Sequence, residues 1–168
     1  MAVRVNLCSG QRKFEGHGWV NVDTNPKWTP DIVADGASLP MFADNSVDLI
    51  VISHGLEHFA LGRADSMLKE CHRILSPGSS LVVTVPDQEA LARAWLEGRI
   101  DDYIYTVNQM GAWMDNDADV HRWNYCWRSL KKTLEEVAQW SRVVRFDGRD
   151  LKCDLAADWW ILGGEAVK

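Results

Sequence analysis

The stretch Val3–Asp23, VRVNLCSGQRKFEGHGWVNVD, decides how the rest of the chain is read. VRVNL is a short apolar run with β-branched residues, CSG interrupts it, and WVNVD is a second run closing on an acid. A strand, a tight glycine turn and a strand ending in a carboxylate form the opening of a nucleotide-binding α/β sheet. The backbone after the first strand must approach a ligand closely, which suits Gly10, and an acid at the second strand's tip accepts from ribose hydroxyls, which suits Asp23. The dinucleotide pattern G-x-G-x-x-G is absent. The gap from Gly10 to Trp19 is too short for a full crossover helix.

Outward from there, DIVAD gives a short third strand ending at Asp35 after the proline-punctuated TNPKWTP. VDLIVISH is a near-continuous apolar run, as a central parallel strand covered on both faces requires. In GRADSMLKECHRIL (62–75), Met67, Leu68, Cys71, Ile74 and Leu75 are spaced for an amphipathic helix. SPGS is expected to stop that helix, and SLVVTVPD to be the fifth strand. A further helix is expected over 88–98 and another from Ser129 to about Trp140, with Leu130, Leu134, Val137 and Ala138 on one face. RVVRFDG and ADWWILGGEAV supply two last strands. Residues 99–127, rich in Tyr, Trp, Asn and Asp, show no clean periodicity and read as an ordered irregular insertion over the sheet edge. The βαβ rhythm predicts a doubly wound, mostly parallel sheet in one domain, 1–168.

Composition narrows the function classes. With 168 residues, 46% hydrophobic and 25% charged, the chain is an ordinary globular domain with room for a core. No apolar run approaches the ~20 residues of a membrane span. The chain enters a strand almost at once, so a cytoplasmic setting without a leader is expected. Cys8, Cys71, Cys126 and Cys153 lie far apart with no C-x-x-C, against a zinc ribbon or disulfide framework. A net charge of −6 argues against nucleic acid as the main partner. Arg122, Arg128, Lys131 and Lys132 fit a solvated helix face, and His17 and His72 ordinary surface positions. Asp115, Asp117 and Asp119 lack the glycine and distal glutamate of a calcium loop. Nine tryptophans point to a thick core, an aromatic pocket or a homodimer contact.

Taken together, the L-C-S-G turn, the two strand-tip acids, VDLIVISH, LEH, the helix, SPG and a strand resemble a class I S-adenosylmethionine (SAM) dependent methyltransferase. The opening is most similar to small methyltransferases carrying L-G-C-G followed by G-W-x-N-V-D. The resemblance implies a Rossmann-like, seven-stranded sheet whose antiparallel last strand, here ADWWILGGEAVK, inserts between strands five and six. It implies SAM as cofactor, with Asn6, Leu7, Cys8, Ser9 and Gly10 under the methionine moiety and Asp23 on the ribose, with Asn25 close after it. Asp35 would face the adenine amine, with Gly36 and Ala37 beside the ring, and Ser53 and His54 would flank the methionine side. On the residues alone, Asp23 also reads as a cap or turn residue and Asp35 as a loop acid. Two positions depart from the family: Cys8 replaces the first glycine, and P-G-G is Pro77-Gly78-Ser79. If position 8 requires positive φ, a side chain there costs about 1 kcal/mol or more.

Methyl transfer requires an aligned acceptor and, where needed, removal of a proton. His54, Glu57 and His58 in SHGLEH would share one helical face, and His121 follows in DVHRWNYC. His54, His58 and His121 are the candidate catalytic residues. Three roles stay open for this group: orienting the loop, general base, or metal ligation. The last rests on small-RNA 2′-O-methyltransferases, which carry E-x-x-E-H here and bind a divalent ion. The acceptor pocket is expected over Tyr103–Trp127, lined by Tyr103, Tyr105, Met110, Trp113, His121, Trp123 and Tyr125; an aromatic secondary core or a dimer contact explains those residues equally well. The expected activity is methylation of an oxygen or nitrogen of a small polar acceptor. Metal-assisted nucleic-acid 2′-O-methylation and a non-catalytic SAM-fold scaffold are the alternatives.

Overall fold

A computed structural model describes residues 2–16, 18–111, 120–146 and 159–168. His17, Trp113, Asp115, Asp117, Asp119 and Cys153 lie outside the described residues. Seven strands form one sheet: β1 (Arg4–Leu7), β2 (Trp19–Asp23), β3 (Ile32–Val33), β4 (Val47–Ser53), β5 (Leu75–Pro86), β6 (Arg142–Phe146) and β7 (Ile161–Val167). Their order is β3-β2-β1-β4-β5-β7-β6, with β7 antiparallel to both neighbours and the remaining pairs parallel. The last strand therefore inserts between strands five and six, as the resemblance implied.

The central strands are buried because their runs are apolar at nearly every position. Val5, Leu7, Ile50, Ile52, Leu81, Val83 and Val85 form one core with Met67, Leu68, Cys71 and Ile74 of α1 (Leu61–Ile74) and with Leu130 and Leu134 of the last helix, α4 (Trp127–Val137). α4 lies close to the sheet because Gly164 of β7 has no side chain. A Cβ there would stand 3.3 Å from a Leu130 methyl. Its outer face carries the pairs Lys131–Glu135 and Lys132–Glu136, so the basic residues are a solvated face as expected.

The opposite face is thinner. Val51 and Val82 are covered by Phe14, Trp19, Leu49 and Phe146, and the rings of Phe14 and Trp19 meet edge to face at 4.7 Å. Phe14 belongs to the connection that stands in for a helix between β1 and β2. Asn21 fastens that connection by accepting from Phe14 N and donating to Phe14 O and the Asp31 carboxylate. The Asn21 backbone and side chain together hold the Asp31 carboxyl below the usual range.

Two expectations are corrected. SPGS stops α1 as expected but is not a separate turn, because α1 runs into β5 without a gap. The residues lie within β5 as a register shift between Val47↔Leu75 and Leu49↔Ser80, with Gly78 at φ +82°. Gly78 N donates to Lys168 O and Lys168 N to Ser79 O, so the backbone stays paired. Residues 99–127 are not wholly irregular. After α2 (Gln88–Leu96), α3 runs Asp102–Met110, with the Asp101 carboxylate accepting from Ile104 N and Gly111 ending it in the left-handed conformation.

The loop between β3 and β4 is clamped to α1 through Glu70 and Arg73. Glu70 accepts from Leu39 N and from the Arg73 guanidinium, which also donates to Leu39 O and Phe42 O. Arg73 is the main cause holding the Glu70 carboxyl below its ordinary value. A carboxyl depressed in the folded state stabilises above its unfolded pKa, about 4.3, and that contribution is lost as pH falls through the folded value. Glu70→Gln is therefore expected to cost about 1–2 kcal/mol at pH 7 and to flatten the acid limb of the stability curve below pH ~4.5. Urea unfolding at pH 7 and pH 3 checks this; equal losses at both pH values would refute it.

Candidate cofactor and catalytic site

At the carboxyl ends of β1, β2 and β4 lies a cavity of about 180 Å³. Its walls include Leu7, Cys8, Gly10, Asp23, Gly36 and His54, with Asn25, Trp28 and His58 completing the rim. Parallel α/β sheets bind ligands there because strand ends and the turns after them leave a crevice. Leu7 ends β1 and is buried. Cys8 then turns the chain at φ 58° and Gly10 at φ 49°, which aims Gly10 N at the Asp23 carboxylate, 2.9 Å away. Asp23 Oδ1 accepts from Asn25 N at 2.8 Å. A carboxylate has about four lone-pair directions, so two remain for ligand hydroxyls.

Cys8 occupies the left-handed region that its replacement of glycine made a concern. Although part of its surface opens on the cavity, burial foremost and then the Asp23 charge hold its thiol far above the ordinary range. It is a packed thiol at neutral pH, not a nucleophile.

Several sequence candidates do not line the cavity. Asn6 is buried and donates to Arg12 O and Asn21 Oδ1, so it fastens the connection between β1 and β2. Ser9 is buried beside Gly10, its N donating to Val22 O. Asp35 accepts from Ala37 N and pairs with Arg63, while Ala37 packs on the core. Ser53 accepts from the Thr84 hydroxyl. Trp28, by contrast, drew no notice in the sequence. Asn25 caps the short turn Pro26–Trp28 by accepting from Lys27 N, and that turn brings Trp28 to the cavity. Proline one residue past an Asn cap was the available signal.

The histidines separate. His54 is not helical: it stands at φ 51°, its N donating to Thr84 O, and only Leu56–His58 forms a 3₁₀ turn. The expected shared helical face is therefore absent, yet His54 Nδ1 still lies 3.4 Å from Glu57 Oε1. His54 and His58 both line the cavity. His121 sits behind, its ring 5.0 Å from that of His58, and burial lowers its pKa. The HRW segment reaches this place because Arg122 N and Trp123 N both donate to Glu57 O.

The residues expected to line an acceptor pocket take several different places. Tyr103 is 67% exposed, Met110 is exposed, and Tyr105 stacks on Trp95 at 4.8 Å. Tyr125 is core, bridging to Asp87 beside β5. Trp123 lines a separate groove between α1 and α4. Of the six that are described, none lines the cofactor cavity.

With this geometry in place, residues 11–83 match the family model described as a methyltransferase domain. A SAM-dependent methyltransferase from Archaeoglobus fulgidus superposes with TM-score 0.66 at 17% identity, covering 99% of this chain and 86% of that one. The chain has the fold of the class I methyltransferases, and residues 11–83 match the model of that domain. SAM is the cofactor of that domain, and the Gly10–Asp23 cradle fits it: a Cβ on Gly10 would meet nothing within 4 Å, and Asp23 keeps free acceptor positions. A ubiquinone/menaquinone biosynthesis C-methyltransferase from Dinoroseobacter shibae is 31% identical over 84% of this chain and 52% of its own length. A Burkholderia thailandensis 1,6-didemethyltoxoflavin-N1-methyltransferase with bound S-adenosylhomocysteine superposes with TM-score 0.61 at 14% identity, over 99% of this chain and 71% of that one. The chain spans about half the length of the curated relatives it matches. No helix among the described residues is long and apolar enough to cross a membrane.

Proposed function

We propose that this protein transfers a methyl group from SAM to a carbon of a small ring acceptor activated by a neighbouring hydroxyl, of the quinol type. The observation that carries the reading is the cavity at the ends of β1, β2 and β4, where Asp23 and the backbone of Gly10 face His54 and His58. SAM supplies an activated methyl group. This chain's residues supply the rest: Asp23 takes the ribose hydroxyls, Trp28 and Gly36 border the adenine, and Cys8 and Gly10 carry the methionine end. His54 then stands where it can accept a proton from the acceptor hydroxyl, oriented by Glu57. A deprotonated ring hydroxyl raises electron density at the adjacent carbon; that carbon takes the methyl group, S-adenosylhomocysteine leaves, and the carbon's own hydrogen returns to the ring oxygen as a proton when the ring rearomatises, so one base serves carbon as well as oxygen methylation. The names of the curated relatives favour carbon, which shifts the expectation from the oxygen or nitrogen acceptor read in the sequence.

An acceptor screen tests this with radiolabelled SAM. One arm holds hydroxylated benzoquinols and naphthoquinols lacking a ring methyl, and the other holds phenols, amines and sugars. Label retained on a ring carbon in the first arm is expected. Turnover confined to the second arm would replace the carbon reading by the oxygen or nitrogen one, and none in either would leave the scaffold alternative.

A further inference from the structure

Glu57 is 1% exposed, and neither carboxylate oxygen has a hydrogen-bond partner. Beside it, the Nδ1 of His121 is also buried and without a partner, and so is the hydroxyl of Tyr125. Burying one such acceptor costs on the order of 1–3 kcal/mol, and more when it is charged. Two orphaned oxygens of one carboxylate, with two more orphaned polar atoms near it, need a common explanation. Water can satisfy some of them, but the set contains no strong donor aimed at Glu57. His54 Nδ1 stands 3.4 Å from one oxygen only.

The side chains around this point have the composition of a metal centre. One ligand atom each from Glu57, His58 and His121 lies within 4.8 Å of the other two. Ions of the zinc class bind histidine nitrogen and carboxylate oxygen at about 2.0–2.2 Å. Closing on an ion therefore requires side-chain rotations of roughly 1 Å, within what a 3₁₀ turn and a docked loop allow. The backbone fixes the pairing, since Arg122 N and Trp123 N hold the His121 segment on Glu57 O. The neighbour of His121, Val120, places a backbone carbonyl 3.4 Å from His58 Nδ1, so the same segment meets two of the three side chains.

We propose that Glu57, His58 and His121 bind a divalent transition ion of the zinc, cobalt or nickel type. Two imidazoles and one carboxylate suit these ions better than magnesium or calcium, which prefer all-oxygen shells. Three protein ligands leave an open position, and His58 puts it on the wall of the cofactor cavity. This ligand set differs from the one read in the sequence, since His54 faces the cavity from outside the group. The site stands independently of the acceptor named above.

The test uses the tag-free, chelator-stripped full chain, titrated calorimetrically with Zn²⁺, and with Co²⁺ followed by visible absorption. One equivalent should bind, with cobalt giving the intense d–d bands of a low-coordinate nitrogen and oxygen site. Outer-shell substitutions alone typically cost about 10–100-fold in metal affinity, so Glu57→Gln and His121→Ala should each weaken binding about hundredfold or more. His72→Ala, whose ring packs on Trp140 away from the group, should bind as wild type does. Circular dichroism and S-adenosylhomocysteine binding report whether each variant is folded. If either variant unfolds, the melting temperature of wild type with excess Zn²⁺ decides: a rise supports the site and no change overturns it. A cobalt spectrum equal to the free ion, or affinity unmoved in both folded variants, also overturns it. Retained S-adenosylhomocysteine binding in that case leaves the methyl-transfer reading standing.

Discussion

Asp23→Ala should weaken S-adenosylhomocysteine binding about hundredfold, because hydrogen bonds to a charged carboxylate contribute ~1.5–3 kcal/mol each and a ribose presents two hydroxyls. The loss has a second source in the free protein. Asp23 Oδ2 accepts from Gly10 N and Oδ1 from Asn25 N, so the carboxylate ties the turn after β1 to the turn after β2. Without it the Gly10 backbone is no longer held in a ligand-ready geometry, and ordering it on binding costs additional free energy. Asp23→Asn keeps one acceptor oxygen and should fall between the two. Calorimetric titration of the three proteins checks the order. An alanine variant that stays folded and binds within threefold of wild type would remove Asp23 from the site, and the cavity would lose its assigned ligand.

The parts of the fold that could be read in advance were those where each residue's local preference agrees with its burial. β1, β4 and β5 read as apolar runs because parallel strands covered on both faces have little room for polar residues. α1 read as a helix because its buried positions Met67, Leu68, Cys71 and Ile74 repeat at helical spacing. α3 was missed for the opposite reason. Only Val107 and Asn108 are buried in it, while Tyr103 and Met110 are exposed, so its apolar residues mark no single face. Its caps, Asp101 and Gly111, were the readable sign. Gly10 and Asp23, read as a glycine turn and a strand-tip acid, both line the cavity. Asn6 does not line it, and its amide donates to Arg12 O and Asn21 Oδ1. Asp35 likewise ends in an ion pair with Arg63, a partner 28 residues away that no local pattern reveals. Of the LEH segment only His58 lines the cavity, and the turn before it depends on a left-handed His54, which helical spacing does not foresee.

That left-handed residue is the ground for the largest catalytic effect. Outside glycine, a residue held at φ 51° costs on the order of 1–2 kcal/mol, and such strain persists where the surroundings over-determine it. Here His54 N donates to Thr84 O, tying the turn to the end of β5, and the ring lies between Trp160, at 5.5 Å, and the Glu57 carboxylate. The strain thus presents an imidazole to the cavity with a carboxylate behind it, the arrangement that orients a general base. His54→Ala should lower kcat by about 10²–10⁴-fold while changing S-adenosylhomocysteine affinity only severalfold. Added imidazole should restore part of the rate in the alanine variant, because it supplies the missing base, whereas His54→Gln should remain slow. An alanine variant keeping more than a tenth of wild-type kcat would show that His54 shapes the loop without moving the proton.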